Sequence, residues 1–563
     1  MIKLSMLNQI ALLRLNRLFN LIALVGVVIL LVECADQPQY QIIIKNGTVY
    51  DGSGNPPEIA DVAISADSIA AIGDFSEFEA ETEIDATGLA VAPGFINMLS
   101  WANVTLLEDG RSQSDIRQGV TLEVMGEGTS MGPLTDTMKK DWIEAQSDIK
   151  YEIPWNTLGE YLQYLENKGV STNIASFVGN GTLREYVIGL EDRKATQSEI
   201  SEMKELVKQA MEEGAVGISS SLLYAPSGYS DTEELIQLSQ VAADYNGMYI
   251  SHIRNEGSGL LNAIDELIAI CEQAGIASEI YHLKASGADN WDLLDTAIEK
   301  VDSARDAGLP VTADIYTYPA SSTGLHVQLP RWAREGGIKA TIDRLKDPDQ
   351  RRKILSEIEF EHNSDRILLV GFKNEALRKY TGKRLDEVAE ELGKTPAETM
   401  VDLIVEDDSR IQVVYFSMSE ENIRKKVAVP WVSFCSDAGS YTNEGVFLKE
   451  STHPRAYGSF IRVLGKYARD ERVITIEEAI RKLTSLPAEN LKLKRRGRLN
   501  PGYFADIVVF DPEQVRDRAT FEEPHQYAEG VLHVWVNGEQ VLKDGDHTGA
   551  MPGRFVKGPG YVK

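Results

Sequence analysis

From Pro93 to about Leu499 the chain alternates short apolar runs with amphipathic stretches such as DWIEAQSDIK and SEMKELVKQAMEEGA. That alternation predicts βαβ units and a parallel sheet, here closed into a (β/α)8 barrel. Candidate strands end near Leu99, Val124, Val178, Ser219, Ser251, Tyr281, Ile315 and Phe434. RILLVG at 366–371 and IQVVYF at 411–416 are surplus to that barrel, so the region from about Leu329 to Val429 reads as an insertion before the last strand. Four polar residues each close a short apolar run: Glu127 in GVTLEVMGEG, His252 in GMYISHIRNEG, His282 in ASEIYHLKASG and Asp437 in WVSFCSDAG. Barrel active sites sit at the C-terminal ends of the strands. Two imidazoles and two carboxylates at those ends suffice for a hydrolytic metal site.

The flanks of the barrel region have a different period. Residues 40–92 hold short alternating stretches, YQIIIKNGTVYDG and DVAISADSIAAIGD, broken by Asn-Gly and Gly turns. These are hairpin signals. Residues 500–563 return to the same pattern in ADIVVFDP and GVLHVWVNGEQVLKDGD. The expectation is one small β-domain built from both chain ends, residues 40–92 and 500–563, beside the barrel of residues 93–499. A chain of 563 residues is long enough for both. Its formal net charge of -29 opposes nucleic acid and anionic lipid as partners.

Residues 1–34 read as a targeting segment. Lys3, Arg14 and Arg17 precede an apolar run from Leu21 to Val32, which is short for a transmembrane helix. Cys34 follows in LLVEC, as in a bacterial lipoprotein signal, although Glu33 stands where a small residue is expected. Export to the periplasm or cell envelope is the expectation. Whether Cys34 is lipidated and anchors the chain to the membrane stays open, beside a noncleaved anchor or simple secretion. Cys271 and Cys435 do not make a disulfide framework; Cys435 reads as a small buried hydrophobe.

Several segments together carry a family resemblance: IKNGTVYDGSG, APGFIN, GVTLEVMGEGTSMGP, GISSSLLYAPSGY, YISHIRNEG, YHLKASG, DIYTYPASSTGL, SDAG, HPRAYGSFIRVLGKY, TSLPAENLKL and GRLNPGYFADIVVFDP. The sequence resembles the N-acyl-D-amino-acid deacylase (D-aminoacylase) branch of the amidohydrolase superfamily over nearly the whole mature chain. The resemblance implies a (β/α)8 barrel with a flanking β-sandwich and zinc-dependent hydrolysis of linear amides. It makes His252 and His282 metal ligands. It places Glu127 where the family has a cysteine ligand; a carboxylate keeps the single negative charge but is harder, which widens tolerance for other divalent metals. It makes Asp437 the general base to the metal-bound water and then the general acid to the leaving nitrogen. Tyr224, Lys284, Tyr316, Ser322 and Arg455 match the family's substrate-binding set. Arg455 and Lys284 suit a substrate carboxylate; structural ion pairs in a very acidic protein are the competing reading. Arg455 stands farther from Asp437 than in the family, through the stretch TNEGVFLKEST, a candidate lid or rim loop. Arg254 and Glu256 read as supporting or structural residues. His326, His362, His453, His525, His533 and His547 have no partner pattern.

One departure is pronounced. The family places Asp-x-His-x-His after PGFI; here the corresponding residues are Asn97, Leu99 and Trp101. Neither Leu99 nor Trp101 ligates a metal, so a second, histidine-held metal site is absent or rebuilt. One metal suffices in principle, and Trp101 is a candidate for narrowing the pocket or stacking on an acyl chain. The resulting expectation is a one-zinc amidohydrolase that deacylates N-acyl-D-amino acids. Hydrolysis of a cyclic amide or a β-linked dipeptide is the alternative chemistry. A weakened envelope binding protein on the same fold is the alternative of a different class.

Overall fold

The computed structural model describes residues 40–360 and 363–563. The targeting segment with Cys34, and His362, lie outside the described residues. Eight parallel strands form the barrel: β1 (Phe95–Asn97), β2 (Val120–Met125), β3 (Asn173–Ser176, continued by Val178–Gly179), β4 (Gly217–Ser221), β5 (Met248–His252), β6 (Ala277–Ile280), β7 (Val311–Ile315) and β8 (Val432–Phe434). Each pairs with the next in chain order. The ring closes just beyond the ends of β8 and β1. Met98 N–H donates to Phe434 O at 3.3 Å, Asp437 N–H to Leu99 O at 2.9 Å, and Trp101 N–H to Ala438 O at 2.9 Å. Closure therefore brings Trp101 and Asp437 to the same edge.

Side chains of the strands and of the residues just after them fill the barrel, among them Ile96, Met98, Leu99, Leu122, Val124, Phe177, Ile250, Tyr281 and Cys435. The other positions meet the surrounding helices in a larger core that includes Phe95, Met125, Ile218, Tyr249, Ile280, Ile315 and Phe434. Strands covered on both faces have to be apolar nearly throughout. The helices start and stop by local chemistry. Thr157 with Glu160, and Thr196 with Glu199, form capping boxes at the starts of Leu158–Lys168 and Gln197–Glu213. Gly214 ends the second of these at φ 113.

Between β7 and β8 lies a separate unit. Ser321–Gly324, Ile367–Gly371 and Gln412–Tyr415 make a small antiparallel sheet. Its own apolar cluster includes Leu325, Ile342, Leu369, Leu385, Ile404 and Val413. RILLVG and IQVVYF thus stand outside the barrel, and the first strand of their sheet begins at Ser321, ahead of Leu329.

The two chain ends share one nine-stranded sheet. Ile507–Phe510 runs antiparallel between Ala90–Pro93 and Val531–Val536. One face packs a local core of Ile44, Val62, Ile64, Ile507, Val509 and Trp535, while Val508 and Phe510 on the other face join the large barrel core. Beyond the sheet, the tail returns to the barrel: Gly553 N–H donates to Val170 O at 2.8 Å and Val556 N–H to Ile174 O at 2.8 Å. No helix among the described residues is long and apolar enough to cross a membrane.

Candidate metal centre and catalytic cavity

Glu127, His252 and His282 meet at the C-terminal rim of β2, β5 and β6, all buried, with their ligand atoms within 4.8 Å of one another. Glu127 Oε1 lies 2.9 Å from His252 Nδ1 and 3.1 Å from His282 Nε2. A tetrahedral zinc ion with bonds of about 2.0–2.1 Å separates its ligand atoms by about 3.3 Å. The three donors therefore fit one small divalent cation and leave its remaining position to the cavity.

Two glycines bring Glu127 to this point. Gly126 has φ 101 and Gly128 φ 60, the left-handed region that side chains resist. A Cβ on Gly126 would stand 2.4 Å from Phe177 O, and one on Gly128 2.5 Å from Ser221 N. His282 and Asp437 hold left-handed backbone without that freedom, at φ 36 and 49. Such strain persists only where surrounding structure imposes it, and it collects at functional sites.

Electrostatics suit a cation. Burial alone raises the Glu127 carboxyl, but the two imidazoles outweigh it and hold it far below the ordinary range. Burial and Lys284 push His282 down, yet Asp437, Glu256 and Glu127 hold it up at about 10. Without a metal, these carboxylates keep a proton on the ring; a cation entering the site competes with it. Glu256 backs both rings from the far side. It stands 3.1 Å from His282 Nδ1 and 3.8 Å from His252 Nε2. Carboxylates in that position fix the tautomer of a ligating imidazole. Sequence reading assigns Glu256 a merely supporting part; its spacing of four from His252 is the signal that could place it here.

Trp101 adds what sequence cannot show. Its indole N–H points between two carboxylates, 3.0 Å from Glu127 Oε2 and 3.1 Å from Asp437 Oδ1. Leu99 is fully buried inside the barrel. The place between Glu127 and Asp437 therefore holds a neutral donor and no histidine, and it does not fit a second cation. Asn97 is also accounted for. Its side chain receives Ser436 N–H at 2.9 Å and donates to Asp115 at 3.0 Å, pinning the β8–β1 seam next to Asp437.

The substrate candidates all line one cavity of about 890 Å3 together with the metal residues. Tyr224 stands edge-on to His252 at 5.1 Å and donates to Thr323 at 2.9 Å. Tyr316 lies under the Arg455 guanidinium, 4.5 Å from ring to charge. The Ser322 hydroxyl donates to Val413 O at 2.8 Å. Lys284 Nζ is 2.5 Å from Glu256, and Arg455 Nη1 is 2.6 Å from Asp437 Oδ2. Both cations thus have a carboxylate inside the site. Arg455 still keeps a buried Nε–H with no partner. His453, unassigned from sequence, accepts the Arg455 N–H at 3.0 Å and anchors to Ala320 O at 2.9 Å. Arg254 lines the cavity too and pairs with Glu266 at 2.9 Å.

An amidohydrolase family model matches residues 447–542. The chain is 33% identical to a D-aminoacylase of Alcaligenes xylosoxydans xylosoxydans, covering 93% of this chain and 98% of the relative. It is 32% identical to an N-acyl-D-glutamate deacylase of the same organism, over 92% and 97% of the two chains. Among solved structures, a D-aminoacylase superposes with a TM-score of 0.77 at 31% identity, covering 92% of this chain and all (100%) of that one. The N-acyl-D-glutamate deacylase of Bordetella bronchiseptica, solved with zinc and a phosphonate mimic of the tetrahedral intermediate, gives 0.78 at 29%, with 92% and 100% covered. With the barrel, the two-ended sheet and the buried triad of Glu127, His252 and His282 in place, the chain belongs to the D-aminoacylase family of amidohydrolases.

Proposed function

We propose that the protein is a zinc-dependent deacylase of N-acyl-D-amino acids that works with one metal ion. The observation that carries this reading is the convergence of Glu127, His252 and His282 at 2.9 and 3.1 Å, with Asp437 on the same cavity. When bound, zinc polarises the scissile carbonyl and makes water a nucleophile near neutral pH. Asp437 takes the proton of the attacking water and delivers it to the amide nitrogen as the C–N bond breaks. The products are a carboxylate and a free amino acid. Trp101 N–H and Arg455 hold the two oxygens of Asp437 in place for that transfer. Arg455 also lines the cavity, and its guanidinium suits the substrate's α-carboxylate. Tyr224, Tyr316 and Ser322 shape the pocket around the amide.

Elemental analysis of the purified protein, beside Glu127→Ala and His252→Ala, tests the metal half. About one zinc per chain, absent from both variants, is the expected result. Amine release from N-acetyl-D-amino acids, with the L-enantiomers as controls, tests the reaction. Release from neither enantiomer with zinc bound would sink the deacylase reading.

We also propose export to the periplasm or cell envelope, on the strength of residues 1–34, with Cys34 as a lipid attachment point. Fractionation of cells carrying the wild type and Cys34→Ala tests this. A protein that stays cytoplasmic rejects export, and one whose envelope association survives the substitution rejects the lipid anchor.

A further inference from the structure

The cavity wall is electrically uneven. Near the metal residues, Lys284 and Arg455 each face a carboxylate at 2.5 and 2.6 Å. On the wall supplied by the unit between β7 and β8, Arg334 and Arg410 also line the cavity. Among the described residues, no carboxylate forms an ion pair with either, although Arg410 donates to Gln412 Oε1 at 3.1 Å. Arg334 Nε is buried and has no hydrogen-bond partner, and the same is true of His326 Nδ1.

The chain is acidic overall. It carries 86 acidic residues against 57 lysines and arginines, so acidic partners are plentiful. Arg184, fully buried, meets Glu234 at 2.6 Å, and the buried Lys426 and Lys482 meet backbone carbonyls instead. Arg334, partly buried, has no anion to offset its lost solvation, whereas Arg410 at the same wall is exposed. Burial lowers the Arg334 pKa, and the neighbouring Arg331 lowers it further. Burial, then Arg410 and Arg334, push His326 down to about 3, so its ring stays neutral and can donate one N–H.

The wall connects directly to the metal residues. His326 follows the strand Ser321–Gly324, and Thr323 in that strand receives the Tyr224 hydroxyl, whose ring stands against His252. We propose that Arg334, Arg410 and His326 form an anion subsite that accepts a second carboxylate of the substrate, making dicarboxylic N-acyl amino acids the preferred class. This rests on the deacylase reading above. The second carboxylate has two sources: an acidic amino-acid side chain, or the far end of a dicarboxylic acyl group.

Two pairs of near-isosteric probes separate the sources: N-acetyl-D-glutamate against N-acetyl-D-glutamine, and N-succinyl-D-alanine against N-butyryl-D-alanine. For the zinc-loaded protein, KM for one acidic probe should be about tenfold or more below its neutral partner. Arg334→Gln should remove that preference by raising KM for the acidic probe, with kcat and the neutral probe changed less than about twofold. The pair that responds identifies the source. Calorimetric binding of the same probes to zinc-loaded Asp437→Asn reads the subsite without turnover. A binding preference that Arg334→Gln abolishes supports the subsite even if no probe releases amine, an outcome that would reject only the deacylase reading. Equal affinity for acidic and neutral probes, or an equal loss for both in Arg334→Gln, overturns the subsite.

Discussion

Trp101 places one neutral donor where Glu127 and Asp437 turn oxygens toward the same point, at 3.0 and 3.1 Å. Hydrogen bonds to charged groups contribute about 1.5–3 kcal/mol, and a tenfold rate change corresponds to about 1.4 kcal/mol. Trp101→Phe keeps the ring and loses the donor. Its kcat should fall by roughly tenfold or more while zinc content stays near one per chain. An unchanged kcat would reduce the indole to a pocket wall. The converse experiment restores ligands. Leu99→His combined with Trp101→His should raise metal uptake in the presence of excess zinc to about two per chain by elemental analysis, whereas the wild type stops near one. Sequence reading reaches the triad and Asp437 because each closes an apolar run, which fixes depth and direction on a barrel strand. It also sees that Trp101 cannot ligate. It cannot see where the indole N–H points, because that depends on a side-chain rotamer set by the closed seam between β8 and β1.

The strands and turns carry constraints that side-chain chemistry alone does not express. Gly126→Ala would force a Cβ to within 2.4 Å of Phe177 O at φ 101. The expected cost is about 1–3 kcal/mol, seen as a lower Tm, together with loss of zinc because Glu127 shifts. Retention of full zinc and wild-type Tm would contradict the account of this turn. Inside the barrel, β6 and β7 bring Glu279 and Asp314 together, each with one buried oxygen that has no partner. Burial and Asp314 push Glu279 up to about 8. The folded pKa lies above the unfolded value of about 4.3, so this group favours the fold fully below that value, and the advantage is lost as pH rises towards 8. Glu279→Gln should therefore lose less Tm than the wild type between about pH 5 and pH 8. Parallel Tm curves would refute it. The onset of the unit between β7 and β8 is also an element-scale lesson. The sequence places a strand end near Ile315 and the insertion from about Leu329, and only long-range pairing with Gln412–Tyr415 makes Ser321–Gly324 a strand.

At the scale of the molecule, the barrel and the two-ended sheet are both readable in the chain as a change of hydrophobic period. The 3.6-residue and strand-run alternation of the middle gives way to hairpin-like alternation at either end. What is not readable is how the last residues are used. Phe555 is buried, and Gly553 and Val556 bond to backbone beside β3. Deleting residues 548–563 should lower Tm by several degrees and expose the β3 edge, detected as faster amide exchange there. Unchanged exchange would make the tail an appendage.

The shared sheet has a consequence for synthesis. Ala90–Pro93 pairs with Ile507–Phe510, a partner more than 400 positions later in the chain. A ribosome adding about 5–20 residues per second takes tens of seconds to span that interval. Throughout it the early strands present an open edge, and the barrel seam is also incomplete until Phe434 and Ala438 emerge. Neither the shared sheet nor the barrel can therefore close until translation is nearly over.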